Sequence, residues 1–456
     1  MRITAKRAAI IYALIIAFLA GVVILVASLM LNGSEWASNR ANRHIYSGGT
    51  IVNAGTIFDR NGIALASSSD NERIFAENST VRKAVHHVVG DTSGYISTGT
   101  HNIFRHTLSG YSRIEGIYNL KQTGTGTNIH LNIDSEANKI AYNALGDYNG
   151  VVAVYNYKTG ELLCSVSKPS YDPENVPENL RTDEKYDGVF LDKFVSGVYT
   201  PGSIMKIITA ACAIENIPDI YTRTFECDGE YETGDGTVIC NGEHGKVNFQ
   251  QAMNESCNSA FAEISILLGA EKLEATAKAM GFNSQLYAKE IRLVESRFSP
   301  DKKSKAELGW AGIGQSTTLV NPAHFLSIMG AIANGGTGYA PDRIKSLGTV
   351  SQIVGRLPET AVQINPETAK KLDEILRSNV TDKYGEWKFE NLQMCGKTGT
   401  AQVDGAKSHS WFAGYSQLDN LPLAVICIAE HGGYGSGVAS SAANKVMQYF
   451  LKNYDV

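Results

Sequence analysis

The sequence has no internal repeat. It also lacks a block of basic residues and a closely paired cysteine motif, and these two absences argue against two classes of function. Its formal net charge is −5 over 456 residues, so a nucleic-acid partner is not expected. Its seven cysteines include no Cys-x-x-Cys pair, so the spacing gives no support for a zinc or thioredoxin-like site. Cys227 and Cys240 lie in a Gly-rich polar stretch, where a disulfide and two free thiols are both compatible with the sequence.

Charged residues are also absent from residues 8–31, which follow the basic side chains of Arg2, Lys6 and Arg7. As a helix this run would be about 36 Å long, against about 30 Å for the hydrocarbon core of a bilayer. The apolar region of a signal peptide is usually only about 7–15 residues. We therefore expect residues 1–31 to be a cytoplasmic tail and an uncleaved single-pass anchor. The basic flank should keep the N-terminus cytoplasmic and place residue 32 onward outside the membrane.

The rest of the chain has an ordinary globular composition, with 43% hydrophobic and 19% charged residues overall. Residues 32–123 are polar and predict a small membrane-proximal linker module. Residues 124–456 have strands near both ends and helices between them, which predicts an α+β domain whose sheet joins both ends. The expected strands are 128–133, 150–155, 162–166, 393–402, 410–415 and 422–429, and the expected helices are 135–145, 204–214 and 439–449.

The pattern Ser-x-x-Lys occurs three times, at residues 165–168, 203–206 and 299–302. A serine nucleophile and a lysine base must lie one helical turn apart on the same face. Lys168 precedes a proline, which disfavours helix, and Lys302 lies in a charged run where it stays solvated. Only Ser203 and Lys206 begin an apolar helix. Burial there can lower the pKa of Lys206, and the helix N-terminus favours an oxyanion near Ser203.

The pattern Ser-x-Asn occurs at residues 69–71 and 256–258. The first copy lies in a polar stretch of the linker module. The second interrupts an apolar pattern between candidate helices, so the side chains of Ser256 and Asn258 would need buried hydrogen-bond partners. Taken alone, such a tripeptide is more often a helix–helix turn that is capped by its serine.

The pattern Lys-Thr-Gly occurs at residues 158–160 and 397–399. The first copy precedes a glutamate in a predicted hairpin turn, and that carboxylate would repel a substrate carboxylate. The second copy, Lys397, Thr398 and Gly399, continues with Thr400 and leads into a strand. A lysine and two hydroxyls without an acid can hold a carboxylate, and Gly399 lets a substrate backbone approach the strand edge.

The copies in suitable surroundings follow one another in the order Ser203, Ser256, Lys397, and in this order they resemble the motifs of class B penicillin-binding proteins. The resemblance covers about residues 124–456 and extends to the stretches around the motifs, including 150–154, 168–173, 199–203, 312–315 and 333–336. It departs from the family at Asn321-Pro322, where Thr-Pro is usual, and in the short membrane-proximal region. The sequence after Ser256 has no Glu-x-x-Leu-Asn, which argues against a class A β-lactamase.

The resemblance implies a penicillin-binding transpeptidase domain, in which an antiparallel sheet is flanked by helices. It also implies a role for each motif residue. Ser203 would be acylated, Lys206 would accept its proton, and Ser256 and Lys397 would complete the catalytic group. Backbone N–H groups of Ser203 and Thr400 would form the oxyanion hole. The substrate-binding residues would be Asn258, Thr398, Gly399 and Thr400.

The implied activity is cross-linking of peptidoglycan stem peptides through a Ser203 acyl-enzyme, outside a bacterial membrane and without a metal or organic cofactor. The implied partners are a D-alanyl-D-alanine donor, an amine acceptor, β-lactams and a membrane glycan polymerase of the shape, elongation, division and sporulation family. Two alternatives stay open. A D,D-carboxypeptidase shares the motifs, and a non-catalytic β-lactam sensor or division scaffold would use the pocket for binding only.

Overall fold

The computed structural model describes residues 2–42, 45–47, 49–69, 72–111, 126–348, 356–403 and 405–454. The Ser-x-Asn copy at 69–71 lies largely outside these ranges. The helices, in chain order, are α1 Arg2–Ala37, α2 Ser79–Val89, α3 Thr100–Ile103, α4 Arg105–Leu108, α5 Ser135–Ala144, α6 Lys193–Ser196, α7 Lys206–Asn216, α8 Phe249–Asn254, α9 Asn258–Leu268, α10 Ala270–Ala279, α11 Lys305–Gly312, α12 Pro322–Ala333, α13 Pro366–Ser378 and α14 Val438–Asn453.

Twenty strands are named in the described ranges. They are β1 Tyr46–Ser47, β2 Thr50–Ile51, β3 Ile57–Phe58, β4 Ala64–Ser69, β5 Glu72–Phe75, β6 Ile129–Leu131, β7 Gly150–Asn156, β8 Leu162–Lys168, β9 Thr224–Cys227, β10 Glu230–Glu232, β11 Thr237–Ile239, β12 Gly245–Asn248, β13 Tyr287–Ala288, β14 Ile291–Arg292, β15 Thr337–Tyr339, β16 Ile344–Leu347, β17 Thr360–Gln363, β18 Met394–Val403, β19 Ala406–Ser416 and β20 Leu423–Ala429.

The principal sheet is antiparallel and has the strand order β18-β19-β20-β7-β8. Its two central strands, β20 and β7, are buried along their whole length, because helices cover both faces of the sheet. Helices α5 and α14 pack on one face, and α7 and α12 lie in the core on the other. The sheet therefore joins the two ends of the domain, and the predicted α+β fold is confirmed.

The N-terminal helix α1 contains a span, Thr4–Ala37, that is long and apolar enough to cross a membrane. The most apolar window of this span has a mean hydropathy of 3.0 and is entirely exposed. An apolar helix of this length that is exposed to water is energetically costly, so the helix is consistent with the predicted single-pass anchor.

A second five-stranded sheet has the strand order β16-β6-β3-β4-β5. Four of its strands come from the N-terminal third of the chain, and β16 comes from residues 344–347. Strand β3 comes from the predicted linker module and pairs in parallel with β6, so that Ile57 lies opposite Ile129. The buried carboxylate of Asp59 accepts a hydrogen bond from the Ser135 hydroxyl at 2.7 Å. Strands from both sides of residue 124 thus share one sheet, and the proposed boundaries 1–31, 32–123 and 124–456 stay predictions.

Candidate active site

The serine of the central Ser-x-x-Lys copy lies on a 3-10 turn, Gly202–Met205, which continues directly into α7. The turn packs against edge strand β18. Gly202 has a φ of +56°, and a Cβ atom at this position would lie 2.5 Å from the Thr400 carbonyl oxygen. Only glycine satisfies both constraints, and it lets the turn bring Ser203 against the strand that carries Lys397.

The amine of Lys206 lies among four oxygen atoms and is fully buried. Its Nζ is 3.1 Å from Ser203 Oγ, 3.1 Å from Ser256 Oγ, 2.6 Å from the Ser256 carbonyl oxygen and 2.8 Å from Asn258 Oδ1. Burial lowers the pKa of Lys206 well below its usual range, and the charge of Lys397 lowers it further. Both effects favour the neutral amine over its charged form.

The partners of Lys206 determine which atom its lone pair faces. A neutral amine has two N–H donors and one lone pair. The Ser256 carbonyl and the Asn258 amide oxygen can only accept hydrogen bonds, so they take the two N–H groups. The lone pair is then left for a hydroxyl, and both Ser203 Oγ and Ser256 Oγ lie within reach at 3.1 Å. This arrangement suits a general base acting on Ser203.

The turn between α8 and α9 carries Ser256, whose φ is +54°. A serine rarely adopts this left-handed conformation, so the surrounding contacts must hold it there. Its hydroxyl lies 2.9 Å from Lys397 Nζ and 3.1 Å from Lys206 Nζ. Ser256 therefore bridges the two lysines and can pass a proton between them and a substrate.

The second lysine, Lys397, is fully buried on β18. Its Nζ donates to Ser256 Oγ and to the Thr398 carbonyl oxygen at 3.0 Å. Burial lowers the pKa of Lys397 to about 7. The amine can therefore carry a positive charge or lose it within the physiological pH range.

Strand β18 is the outer strand of the principal sheet, so one of its edges is open to an added strand. Thr398 and Thr400 are half-buried on it, and the backbone N–H of Gly435 donates to Thr400 Oγ1 at 3.2 Å. Gly399 lies against the nucleophile turn, where a Cβ atom would lie 2.9 Å from the Pro201 carbonyl oxygen. All three residues therefore border the position of Ser203.

Five of the eight predicted site residues line one groove with a cavity volume of about 1160 Å³: Ser203, Ser256, Asn258, Thr398 and Thr400. The groove is large enough for a peptide segment. Its cationic side chains favour an anionic group, although one glutamate also lies on its wall. The ionisable side chains along the groove are Lys383, Lys388, Lys407, His431 and Glu255.

The other motif copies lie in different surroundings. Residues 165–168 are within strand β8, where the serine and lysine cannot share a helical face. Lys302 is exposed and forms an ion pair with Glu274 at 2.9 Å. Lys158 is exposed in the turn between β7 and β8. The structure therefore places these copies in a strand, in solvent and in a hairpin turn, as their neighbouring residues indicated.

The sequence analysis missed two residues that shape the site. Tyr384 ends a π-helical segment, Asn379–Tyr384, and its hydroxyl oxygen accepts hydrogen bonds from the Thr398 N–H and the Thr398 hydroxyl, both at 3.2 Å. Trp411 on β19 donates from Nε1 to the Thr200 carbonyl oxygen at 3.1 Å and so holds the segment that precedes Ser203. Neither residue belongs to a short motif, and the chain has 21 tyrosines, so no sequence signal distinguished Tyr384.

The fold and the two buried lysines around a serine define an acyl-transfer site of the kind found in penicillin-recognising serine enzymes. The family model for the penicillin binding protein transpeptidase domain matches residues 150–448. The chain therefore belongs to the penicillin-binding protein transpeptidase family, which confirms the family that the motifs predicted.

Relatives and solved structures agree with this assignment. Peptidoglycan D,D-transpeptidase PbpA of Mycolicibacterium smegmatis is 27% identical over 387 residues, which cover 75% of this chain and 76% of the relative. Peptidoglycan D,D-transpeptidase MrdA of Haemophilus influenzae is 25% identical over 371 residues, covering 72% and 56%. The penicillin G acyl-enzyme complex of penicillin-binding protein A from M. tuberculosis has the same fold, with a TM-score of 0.76, 23% identity and coverage of 88% of this chain and 100% of that one.

Proposed function

We propose that this chain is a class B peptidoglycan D,D-transpeptidase that works through a Ser203 acyl-enzyme. One observation carries the proposal: the neutral-prone amine of Lys206 lies 3.1 Å from Ser203 Oγ while two pure acceptors occupy its N–H groups. That arrangement suits proton removal from a serine nucleophile. The relatives named peptidoglycan D,D-transpeptidase support the donor substrate, a stem peptide that ends in D-alanyl-D-alanine.

In the first half-reaction, Ser203 Oγ attacks the carbonyl carbon of the penultimate D-alanine, and its proton passes to Lys206 Nζ. The oxyanion of the tetrahedral intermediate is held by the backbone N–H groups of Ser203 and Thr400, an effect typically worth about 10²–10³ in rate per donor. The C–N bond then breaks. Ser256 passes a proton to the leaving amine, and the acyl-enzyme remains.

The terminal carboxylate of the donor lies against Thr398, Thr400 and the positive charge of Lys397. The donor backbone adds to the open edge of β18 at Gly399. Asn258 has a second N–H on Nδ2, besides the one it donates to the Ile239 carbonyl, and this N–H holds the substrate amide. The acceptor amine then attacks the acyl-enzyme and regenerates Ser203.

The membrane arrangement follows from the anchor and its basic flank. Helix α1 crosses the membrane once, with its N-terminus in the cytoplasm and residues 32–456 outside, because positively charged flanks stay on the cytoplasmic side. A glycan polymerase of the shape, elongation, division and sporulation family supplies the strands to be cross-linked. This partner is proposed from the family resemblance.

The test is acylation of the purified ectodomain, residues 32–456, by a fluorescent penicillin, followed on a denaturing gel. We expect a covalent band in the wild type that is absent in Ser203→Ala, and a Ser165→Ala control that labels like the wild type. A folded wild type that does not label would favour the scaffold alternative. A peptide donor with an added D-amino acid acceptor distinguishes a D,D-transpeptidase from a D,D-carboxypeptidase. The transpeptidase joins donor and acceptor, whereas the carboxypeptidase yields only the hydrolysed donor.

A further inference from the structure

Next to the Ser-x-Asn turn, three cysteines and a histidine converge. Their ligand atoms, three Sγ and one imidazole nitrogen, all lie within 4.8 Å of one another. They belong to Cys227, Cys240, His244 and Cys257. Cys227 and Cys257 are buried, and the other two are half-buried. Cys240 and His244 are four positions apart, whereas Cys227 and Cys257 each lie 13 positions from the nearer of these two, and the cysteines are free thiols.

The separations within this Cys3His cluster match one coordination geometry. A zinc ion with Zn–S bonds of about 2.3 Å and a Zn–N bond of about 2.0–2.1 Å has tetrahedral edges of roughly 3.5–3.8 Å. His244 Nδ1 lies 3.4 Å from Cys227 Sγ and 3.5 Å from Cys240 Sγ, and the sulfur atoms of Cys240 and Cys257 are 3.9 Å apart. Three of the six edges are therefore close to those of a tetrahedral zinc site, and the other three are no longer than 4.8 Å.

Neighbouring groups also suit thiolate ligands. The backbone N–H of Asn258 points to Cys240 Sγ at 3.1 Å, and the N–H of Ala260 points to Cys257 Sγ at 3.4 Å. The Ser259 hydroxyl lies 3.4 Å from Cys227 Sγ. Hydrogen bonds from an outer shell of this kind orient metal-bound sulfurs and offset their negative charge.

We propose that Cys227, Cys240, His244 and Cys257 form a structural zinc site that holds the Ser-x-Asn turn of the active site in place. Zinc is favoured because three thiolates and one imidazole in a tetrahedron are a typical structural zinc set. Four protein ligands close the coordination sphere, so the ion takes no part in acyl transfer. The sequence analysis expected no metal, and this site is the place where that expectation is tested.

The position of Cys257 explains how the ion would act on catalysis. Cys257 is the middle residue of the turn, with Ser256 before it and Asn258 after it. Ser256 is held at a positive φ, a conformation that needs support from its surroundings. A metal bond to Cys257 on one side of the turn would fix the two side chains that face Lys206 on the other. Cys257 is thus a positioning residue for Ser256.

The fold around the other ligands also calls for a cross-link. Cys227, Cys240 and His244 lie on or beside two small ribbons, β9–β12 and β10–β11, each of only two short strands. Isolated two-stranded ribbons are marginally stable in water. A zinc ion would fasten both ribbons to the N-terminus of α9, and it would also protect the thiols from oxidation outside the membrane.

The experiment is metal analysis of the purified ectodomain, together with Cys227→Ser, His244→Ala and the control Cys212→Ala, which removes a buried thiol outside the cluster. We expect stoichiometric zinc in the wild type and the control, and a loss of most of it in the two ligand variants. Replacing zinc with cobalt should produce the visible absorption bands of a tetrahedral cobalt–thiolate site. Neither readout depends on acylation, so the zinc proposal can fail while the proposed function stands.

Loss of a ligand can prevent folding, so the wild type provides a second measurement. Titration of its thiols with a mercurial reagent should release zinc in proportion to the thiols that have reacted. Removal of zinc by a chelator should slow penicillin acylation, although Ser203 itself is unchanged. Wild-type protein that binds no zinc when it is refolded in zinc-containing buffer overturns the proposal. So does mass-spectrometric detection of a Cys227–Cys240 disulfide in the native protein, or a His244→Ala variant with wild-type zinc content.

Discussion

The two Lys-Thr-Gly tripeptides of this chain have the same sequence and entirely different surroundings. Lys397 is fully buried on the edge strand β18, and its amine lies 2.9 Å from Ser256 Oγ. Lys158 is exposed in the turn between β7 and β8, where the Asn156 side chain accepts hydrogen bonds from the backbone N–H groups of Lys158 and Thr159. The first tripeptide borders the reactive serine, and the second closes a hairpin.

The difference lies in burial and not in the side chains themselves. Desolvation lowers the pKa of Lys397 to about 7, because the buried amine loses the water that would stabilise its charge. Lys158 remains in water. A lysine becomes a usable catalytic group only where the fold removes solvent and supplies fixed partners, so a tripeptide in a sequence acquires chemistry from its position.

The largest effect should come from truncating the buried lysine, Lys397. Truncation of its exposed counterpart, Lys158, is the matched control. We expect Lys397→Ala to lower the second-order rate of penicillin acylation by about 10²–10⁴, the range for loss of a proton-transfer or charge-stabilising group. Lys158→Ala should leave the rate unchanged. Stopped-flow acylation of both variants, with circular dichroism to verify folding, makes the measurement. Equal rates in the two variants would remove the distinction between the tripeptides.

A pH profile sharpens the comparison further. The pKa of Lys397 is about 7, so its positive charge is present below that pH and lost above it. Acylation by a penicillin, which carries a carboxylate, should therefore decline above about pH 7, by up to about tenfold per pH unit for a single ionisation. In Lys397→Arg the guanidinium stays charged, so this decline should disappear, although the rate at its maximum will be lower.

The profile of Lys158→Arg is the matched control, and it should coincide with that of the wild type. At the acidic end, the rate should fall in every variant, because Lys206 gains a proton and no longer accepts one from Ser203. An alkaline decline that persists unchanged in Lys397→Arg would assign that ionisation to another group.

The smallest effect should come from Tyr384, which the motif analysis missed. Tyr384→Phe removes the oxygen that accepts hydrogen bonds from the N–H and hydroxyl of Thr398. We expect roughly a fivefold loss of acylation rate, about 1 kcal/mol, as for one net hydrogen bond. Tyr287→Phe, on an exposed strand outside the groove, is the control. No change in Tyr384→Phe would mean that the strand alone positions Thr398.

Much of the fold could be predicted because hydrophobic patterns are local. The hairpin of β7 and β8 and the three C-terminal strands lie where the sequence indicated them, with ends shifted by a few residues. Asp134 caps α5 as expected and accepts a hydrogen bond from the Ala137 N–H at 2.8 Å. The pairing of β6 with β3 was not predicted, since short strands far apart in the chain leave no periodic signal.

The candidate site likewise has a part that the sequence predicted and a part that it did not. Motif order and local context selected Ser203, Lys206, Ser256 and Lys397 as candidates. The structure brings these four side chains together, and their catalytic roles stay predictions. The Cys3His cluster escaped the sequence analysis, because its ligands are spaced as Cys-x12-Cys-x3-His-x12-Cys, which differs from the short pairs of a zinc ribbon. Separations of this kind become informative only when the three segments that carry the ligands are folded against one another.

The sequence by itself determined the long apolar N-terminal helix, the fold class, the family and the choice of candidate site residues, because these depend on side-chain type, local periodicity and order along the chain. Only the tertiary structure decided that Lys397 is fully buried, that the lone pair of Lys206 is left for a hydroxyl, and that Cys257 lies near three other potential metal ligands. Those properties depend on distances between atoms that lie far apart in sequence, and electrostatic and coordination energies vary steeply with such distances.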